Sequence, residues 1–196
     1  MSAAADKAAL RARYRRRRGA LAAGERAAET AGTIARCLEL LARLPHGAVA
    51  TYLAAGAELD LDGLHRQLWQ AGRRLLVPRV AGPGLLAWQQ LRPGQATLPG
   101  AHGIRVADPG LSPAAELPEA AVLLVPGVAF ARDGRRLGQG GGYYDRLLAR
   151  HAGLSVGVGF ACQRCDELPS DAHDQRVDGL ILGGTLLRDP LEAVEP

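Results

Sequence analysis

The stretch "AVLLVPGVAFARDGRRLGQGGGYYDRLL" (residues 121–148) decides the fold. Its first ten residues, Ala121 to Phe130, form a continuous apolar run bounded by punctuation, which predicts a strand covered on both faces. A loop follows in which Gly138, Gly140, Gly141 and Gly142 fall within five positions, and "YYDRLLAR" (143–150) then reads as a helix. Strand, loop and helix in that order form the repeating unit of α/β proteins with parallel sheets.

Working outward, residues 3–18 and 24–43 read as helices, with Gly19 and Gly24 as breaks between them. "AVATYLA" (48–54) reads as a buried strand, followed by a helix over about 60–72 that Asp60 can cap. "RRLLVPRV" (73–80) and "LLAWQQL" (85–91) are strands, and the Gly/Pro-rich segment 93–118 reads as loops around little regular structure. Beyond the glycine loop come strand "LSVGVGF" (154–160), a short helix near 163–168 and strand "GLILGG" (179–184). The expectation is a three-layer α/β/α fold with a mainly parallel sheet and the N-terminal helices packed on it. There is no internal repeat and no linker long enough to force two domains, so residues 1–196 are expected to form one.

Composition sets outer limits. At 47% hydrophobic and 22% charged residues, the chain is ordinary for a folded domain. No apolar run approaches the roughly 20 residues of a membrane helix. The basic N-terminus "MSAAADKAALRARYRRRRGA" lacks the apolar core and cleavage site of a secretory signal, although a transit peptide is Arg-rich and acid-poor in the same way. Cys37, Cys162 and Cys165 make no disulfide framework, and a cytoplasmic location is expected. Cys162-Gln-Arg-Cys165 has the spacing of a redox pair or half a zinc site, but small buried thiols at a strand end account for it better.

A net charge of +4 suggests anionic partners. Nearly all of that charge is arginine, and Lys7 is the only lysine. A compact ammonium is not interchangeable with a planar guanidinium, so a lone lysine in an Arg-biased chain marks a position that needs it. Lys7 and Arg11 stand four apart on one helix face, which suits a phosphate clamp. The basic run Arg13 and Arg15–Arg18 reads either as a solvated face or as a nucleic-acid surface.

The glycine loop lies where open α/β sheets place ligands, beyond the carboxyl ends of the strands. Glycines let backbone N–H groups approach an anion and reach positive φ. No Lys-Ser/Thr pair follows them, so this is not a Walker loop; position 143 is Tyr, so it is not the dinucleotide fingerprint. A merely flexible turn is the plain alternative. Arg136 before the glycines and Asp145 after them argue for more, because a guanidinium binds phosphate oxygens and a carboxylate beside a phosphate suits Mg²⁺. In "HDQRVDG" (173–179), Asp174 and Asp178 precede the last strand, and Asp178 is the candidate to join Asp145 at that metal. Glu58 is a single acid just past strand 48–54.

On these residues the sequence resembles the 5-formyltetrahydrofolate cyclo-ligase family over essentially the whole chain. "VPGVAFARDGRRLGQGGGYYDRLL" matches the family signature in order and spacing, and "KAALR", "TYLAAGAELD" and "HDQRVD" follow the expected order. The resemblance implies a three-layer α/β domain that closes 5-formyltetrahydrofolate to 5,10-methenyltetrahydrofolate, with ATP converted to ADP and phosphate. It implies that Lys7 and Arg11 contact ATP phosphates, and that Arg136 with Gly138, Gln139, Gly140, Gly141, Gly142, Tyr143 and Tyr144 forms the nucleotide loop. Gly140, Gly142 and Tyr143 would also approach the folate. Lys7, Arg136 and Tyr143 are the candidate catalytic residues, Asp145 and Asp178 the Mg²⁺ ligands, and Leu53 and Glu58 the pterin site, with Glu58 accepting from ring N–H groups. The expected partners are small molecules, without membrane or nucleic acid, and a monomer is expected. The chain departs from its relatives at His102, where many carry an aromatic residue, and in "GIRVADP", where Arg105 is a candidate for folate carboxylates. A divergent homologue acting on another substrate and a basic nucleic-acid-binding module are the rival readings; the Gly138–Asp145 arrangement counts against the second.

Overall fold

The computed structural model describes residues 3–99, 105–108 and 110–192. His102 lies outside them. Helices α1 (Ala3–Gly19) and α2 (Ala23–Ala42) come first, α1 ending at Gly19 and a short break over residues 20–22 leading into α2. Gly24 does not break the chain but sits in the first turn of α2, where the Glu25 carboxylate accepts the Ala22 N–H at 3.1 Å. Strand β1 (Val49–Ala50) leads through a buried segment to α3 (Asp62–Gln70). Asp60 accepts the N–H of Asp62 at 2.8 Å, satisfying one of the orphan donors at the start of this helix. Next come β2 (Leu75–Gly82), β3 (Leu85–Leu91), β4 (Thr97–Pro99), β5 (Arg105–Ala107) and β6 (Ala114–Ala115). The chain continues through β7 (Val122–Val125), β8 (Ala129–Phe130), β9 (Arg136–Leu137) and α4 (Tyr143–Leu148). Strand β10 (Ser155–Gly159), a single 3-10 turn at Ala161–Gln163, β11 (Gly179–Leu182) and β12 (Thr185–Arg188) complete it.

The main sheet runs β12-β11-β10-β7-β1-β2-β3-β6. Strands β11, β10, β7, β1 and β2 are parallel to their neighbours, while β12, β3 and β6 pair antiparallel. Successive side chains of a strand face opposite layers, and the two layers divide accordingly. Val49, Leu75, Val122, Leu124, Val156 and Val158 pack with Cys37, Leu40, Leu41, Leu64 and Leu68 of α2 and α3. Ala50, Leu76, Leu123 and Val125 pack on the other side with Tyr144, Leu147 and Leu148 of α4. Leu64 and Leu68 are almost wholly buried, which contributes about 1.5–3 kcal/mol each. The fold is the expected mainly parallel α/β arrangement. Helix α2 packs on the sheet as expected, whereas α1 reaches it through an intermediary: Leu10 and Tyr14 pack on Val128, Ala129, Ala131 and Leu137 of the β8–β9 hairpin.

Further local expectations change. The short helix expected near 163–168 is only the 3-10 turn Ala161–Gln163. The run 121–130 is two strands, because Pro126 has no N–H and the chain turns at Gly127 into a separate hairpin with β9. The glycines of "GLILGG" are a turn: Gly183 (φ +55°) and Gly184 (φ +82°) form a two-residue hairpin loop feeding β12. The segment 93–118 contains short strands, with β4 and β5 forming a small hairpin and β6 closing the sheet beside β3. Among the described residues, no helix is long and apolar enough to cross a membrane.

Candidate functional site

A cleft of about 1310 Å³ opens beyond the C-terminal ends of β1, β2 and β7, where parallel sheets expose backbone and loops. One wall is the inner face of α1. Residues 7, 11, 14 and 18 of a helix fall on one stripe, and Lys7, Tyr14 and Arg18 are buried along it. Tyr14 anchors the stripe by packing on the β8–β9 hairpin and donating to the Arg164 carbonyl at 3.2 Å. Lys7, Arg11 and Arg18 face the cleft.

Lys7 donates to Asp171 at 2.7 Å and to Asp174 at 2.6 Å. Burial works to lower the pKa of its ammonium, but the hydrogen bonds and charges of the two carboxylates outweigh it and hold the value above the ordinary lysine range. Burial likewise works against an ionised Asp174, and Lys7 together with the Asp171 N–H holds that carboxyl below its usual range. Arg11 donates from Nε to the Gly138 carbonyl at 2.9 Å, tying α1 to the glycine loop. Arg15 grips the Gln139 side chain from outside.

The loop conformation depends on its glycines. Gly140 has φ +108° and Gly142, the residue before α4, has φ +65°, both in the region where a Cβ is strained. A Cβ on Gly141 would lie 2.6 Å from the Tyr143 ring, and one on Gly138 would lie 2.7 Å from an Nη of Arg136. Arg146 closes the far side, donating to the carbonyls of Gly84 and Gly141. Arg136 is almost wholly buried and donates to Asp145 Oδ1 at 2.7 Å. Its Nε is buried and has no partner among the described residues. Its guanidinium also lies 5.7 Å from the Tyr144 ring centroid.

Leu53 and Glu58 also line the cleft, with Tyr52. Glu58 Oε2 accepts the Ala55 N–H at 3.1 Å, which fixes the carboxylate at the rim of the buried 51–54 segment. Burial and then the charge of Glu58 push the Tyr144 hydroxyl well above the ordinary tyrosine range, so Tyr144 is neutral here. Arg105 also reaches the cleft wall, but it is committed to a two-point ion pair with Asp62 at 2.9 and 3.0 Å.

Most of the expected site residues therefore share one cleft: Lys7, Arg11, Leu53, Glu58, Arg136, Gly138, Gln139, Gly140, Gly141, Gly142, Tyr143, Tyr144 and Asp145 all line it. Asp178 does not. It immediately precedes β11, at the opposite end of the parallel strands, and its Oδ2 accepts both the N–H and the hydroxyl of Ser155 at 2.9 and 2.6 Å. The pairing of Asp178 with Asp145 at a metal is thus corrected. Asp174 reaches the cleft instead, and the adjacent Gln175 N–H meets Asp145 Oδ1 at 3.4 Å. Asp171, His173 and Asp174 also lie close enough together to share a cation. Arg18 was assigned to the basic run, yet it is buried and faces the cleft. The signal for Arg18 was its helical spacing from Lys7, Arg11 and Tyr14. Cys37 is buried and its thiol is pushed up to about 12 by burial; all three cysteines are free thiols.

Fold and site together define an α/β protein with a cation-lined cleft at the carboxyl ends of a parallel sheet. The match to the 5-formyltetrahydrofolate cyclo-ligase family extends over residues 3–183, and the chain belongs to that family of ligases. It is similar to the 5-formyltetrahydrofolate cyclo-ligase of Mycolicibacterium smegmatis, at 38% identity over 134 residues, or 64% of this chain and 68% of that protein. The cyclo-ligase of Escherichia coli K12 is 35% identical over 134 residues, covering 64% of this chain and 72% of its own. The solution structure of Aquifex aeolicus 5,10-methenyltetrahydrofolate synthetase superposes with a TM-score of 0.78 at 33% identity, across 94% of this chain and 92% of that one.

Proposed function

We propose that this protein converts 5-formyltetrahydrofolate and ATP to 5,10-methenyltetrahydrofolate, ADP and phosphate through a phosphorylated formyl oxygen. The observation that carries the proposal is one cleft lined by two chemically distinct sets of residues. Lys7, Arg11, Arg136 and the glycine loop provide cations and backbone. Leu53, Tyr52 and Glu58 provide apolar surface with a single fixed carboxylate. At about 1310 Å³ the cleft exceeds the roughly 300–1,000 Å³ of a one-ligand pocket and has room for two substrates.

The chemistry suits these residues. The formyl oxygen takes the γ-phosphoryl group, the bond to ADP breaks, and the formyl carbon becomes electrophilic. The neighbouring anilino nitrogen then attacks that carbon, its proton leaves, and phosphate departs with the former formyl oxygen. No protein nucleophile is required, because phosphoryl transfer depends chiefly on positioning and charge neutralisation. Lys7 and Arg136 are poised for that role and are held meanwhile by the carboxylates of Asp171, Asp174 and Asp145. The partnerless Arg136 Nε is a donor awaiting an acceptor. Arginines hold the carbonyls of Gly138 and Gly141, which leaves loop N–H groups as further donors. Tyr143, flanked by Arg146, lines the cleft and would position the reacting groups.

The donor set fits Mg²⁺. Asp145 and Asp174 offer hard carboxylate oxygens on the same wall, each now balanced by a cation. Bound there, Mg²⁺ would supply charge neutralisation to the phosphates. The free thiols are in keeping with a cytoplasmic location. The test is the absorbance of the methenyl product with each substrate omitted in turn; folded protein that yields no methenyl signal refutes the proposal.

A further inference from the structure

Arg18 is an unusual residue for this cleft. It is 6% exposed, its Nε is buried, and it donates to no side chain or carbonyl among the described residues. Its backbone is pinned, since Arg26 donates to the Arg18 carbonyl at 2.6 Å. Burial lowers the pKa of the guanidinium, and the largest influence opposing that is the negative charge of Glu58. No ion pair within bonding distance joins the two; both line the cleft, and Arg26 ties their segments together by donating to the Arg18 and Ala57 carbonyls at 2.6 and 3.1 Å. The nearby Tyr52 hydroxyl donates to the Leu59 carbonyl at 3.0 Å and accepts no hydrogen bond from Arg18 among the described residues. A buried guanidinium without a partner is costly unless a ligand completes it.

The position of Arg18 on α1 says which ligand atom. Lys7 and Arg18 are eleven residues apart, about 16 Å along the helix and on the same face. Arg11 is also about 10 Å along the axis from Arg18, so a phosphate bound by Lys7 and Arg11 together lies toward the other end of the helix from Arg18. The ligand beside Arg18 is the one that Glu58 meets. A carboxylate and a guanidinium that line one cleft without pairing to each other match a planar heterocycle that shows ring N–H donors next to a carbonyl acceptor.

We propose that Arg18 is a substrate-binding residue that donates to the 4-oxo group of the pterin while Glu58 accepts from the adjacent ring N–H groups, and that this pair sets the choice of 4-oxo over 4-amino pteridines. The proposal rests on the folate reading of the cleft and extends it. It is tested by equilibrium binding of 5-formyltetrahydrofolate, of a 2,4-diaminopteridine folate analogue and of ATP to the full chain and to Arg18→Met and Arg18→Lys. In Arg18→Met the dissociation constant for 5-formyltetrahydrofolate rises about 10- to 100-fold, as loss of a charge-assisted hydrogen bond requires. The 4-amino analogue, which offers N–H donors where Arg18 needs an acceptor, binds no worse or better. ATP affinity, set far along α1, changes by less than about two-fold. Arg18→Lys recovers part of the lost affinity for the 4-oxo ligand. Equal affinity of wild type and Arg18→Met for 5-formyltetrahydrofolate overturns the assignment while leaving the folate reading intact. A uniform loss for all three ligands overturns it too, since that is the mark of a structural role. Wild-type protein that binds no pteridine removes the folate reading and the Arg18 assignment together.

Discussion

Replacing Asp145 by Asn separates a functional role from a structural one. Asp145 accepts from Arg136 at 2.7 Å, and the two side chains are 18% and 3% exposed. At an effective dielectric near 20, unit charges about 4 Å apart interact by roughly 4 kcal/mol, an upper bound for the pair. Asn keeps the shape and one acceptor oxygen, so the expected loss is that of a charge-assisted hydrogen bond made neutral, about 1.5–3 kcal/mol. For a chain of this size that corresponds to a fall in Tm of about 3–12 °C. Native stability of about 5–15 kcal/mol leaves the variant folded at 25 °C. If Asp145 only held Arg136 in place, turnover would change little. The account predicts instead a fall in kcat of at least about 100-fold, equivalent to roughly 2.7 kcal/mol of barrier, with excess Mg²⁺ restoring it at best partly. The assays are thermal unfolding and methenyl formation on the same preparation. Wild-type turnover in Asp145→Asn refutes the reasoning whatever the melting temperature.

Lys7→Arg keeps the charge but cannot place a compact ammonium between Asp171 and Asp174, so KM for ATP should rise about ten-fold; an unchanged ATP dependence would return Lys7 to the solvated basic face. Gly138→Ala puts a methyl 2.7 Å from an Arg136 Nη that burial and Asp145 prevent from moving away, so ATP affinity should fall while folate affinity is retained, as competition binding would show. Asp62 is held well below the usual carboxylate range by its neighbour His65, against the opposing effect of burial, and by the two-point pair with Arg105. A depressed folded-state pKa adds stability above the unfolded value near 4 and loses it as pH falls through the folded value. Asp62→Asn should therefore be less stable than wild type at neutral pH, with the two melting curves converging as pH falls below about 4; parallel curves down to pH 2 would contradict this.

The parallel sheet was legible because its central strands are continuous apolar runs, and burial on both faces leaves no other use for such runs. Their ends were not. Residues 121–130 read as one strand because periodicity does not register that Pro126 lacks a donor. Gly127 adds to the break, since a Cβ there would meet the Phe130 ring at 2.6 Å. Strand β12 escaped notice because Gly183 and Gly184 read as the tail of β11 rather than as a hairpin loop. Strands β5 and β6 are two or three residues long and too short to carry a period. At the site, the glycine loop and Lys7 stood out as compositional anomalies, whereas Arg18 was hidden among arginines and differs from Arg15–Arg17 only in helical phase. Asp178 misled because it is four residues from Asp174. Over that interval the chain leaves the cleft, with the Val177 N–H bonded to the Gly134 carbonyl, and reaches the N-terminal edge of β11.

The most direct measurement of the central claim is a single reaction of folded protein with 5-formyltetrahydrofolate, ATP and Mg²⁺, following methenyl absorbance and ADP together. The account predicts that methenyltetrahydrofolate and ADP appear in equal amounts and that neither forms when ATP or the folate is omitted. Methenyl product formed without ATP, or ADP released without ring closure, would contradict it.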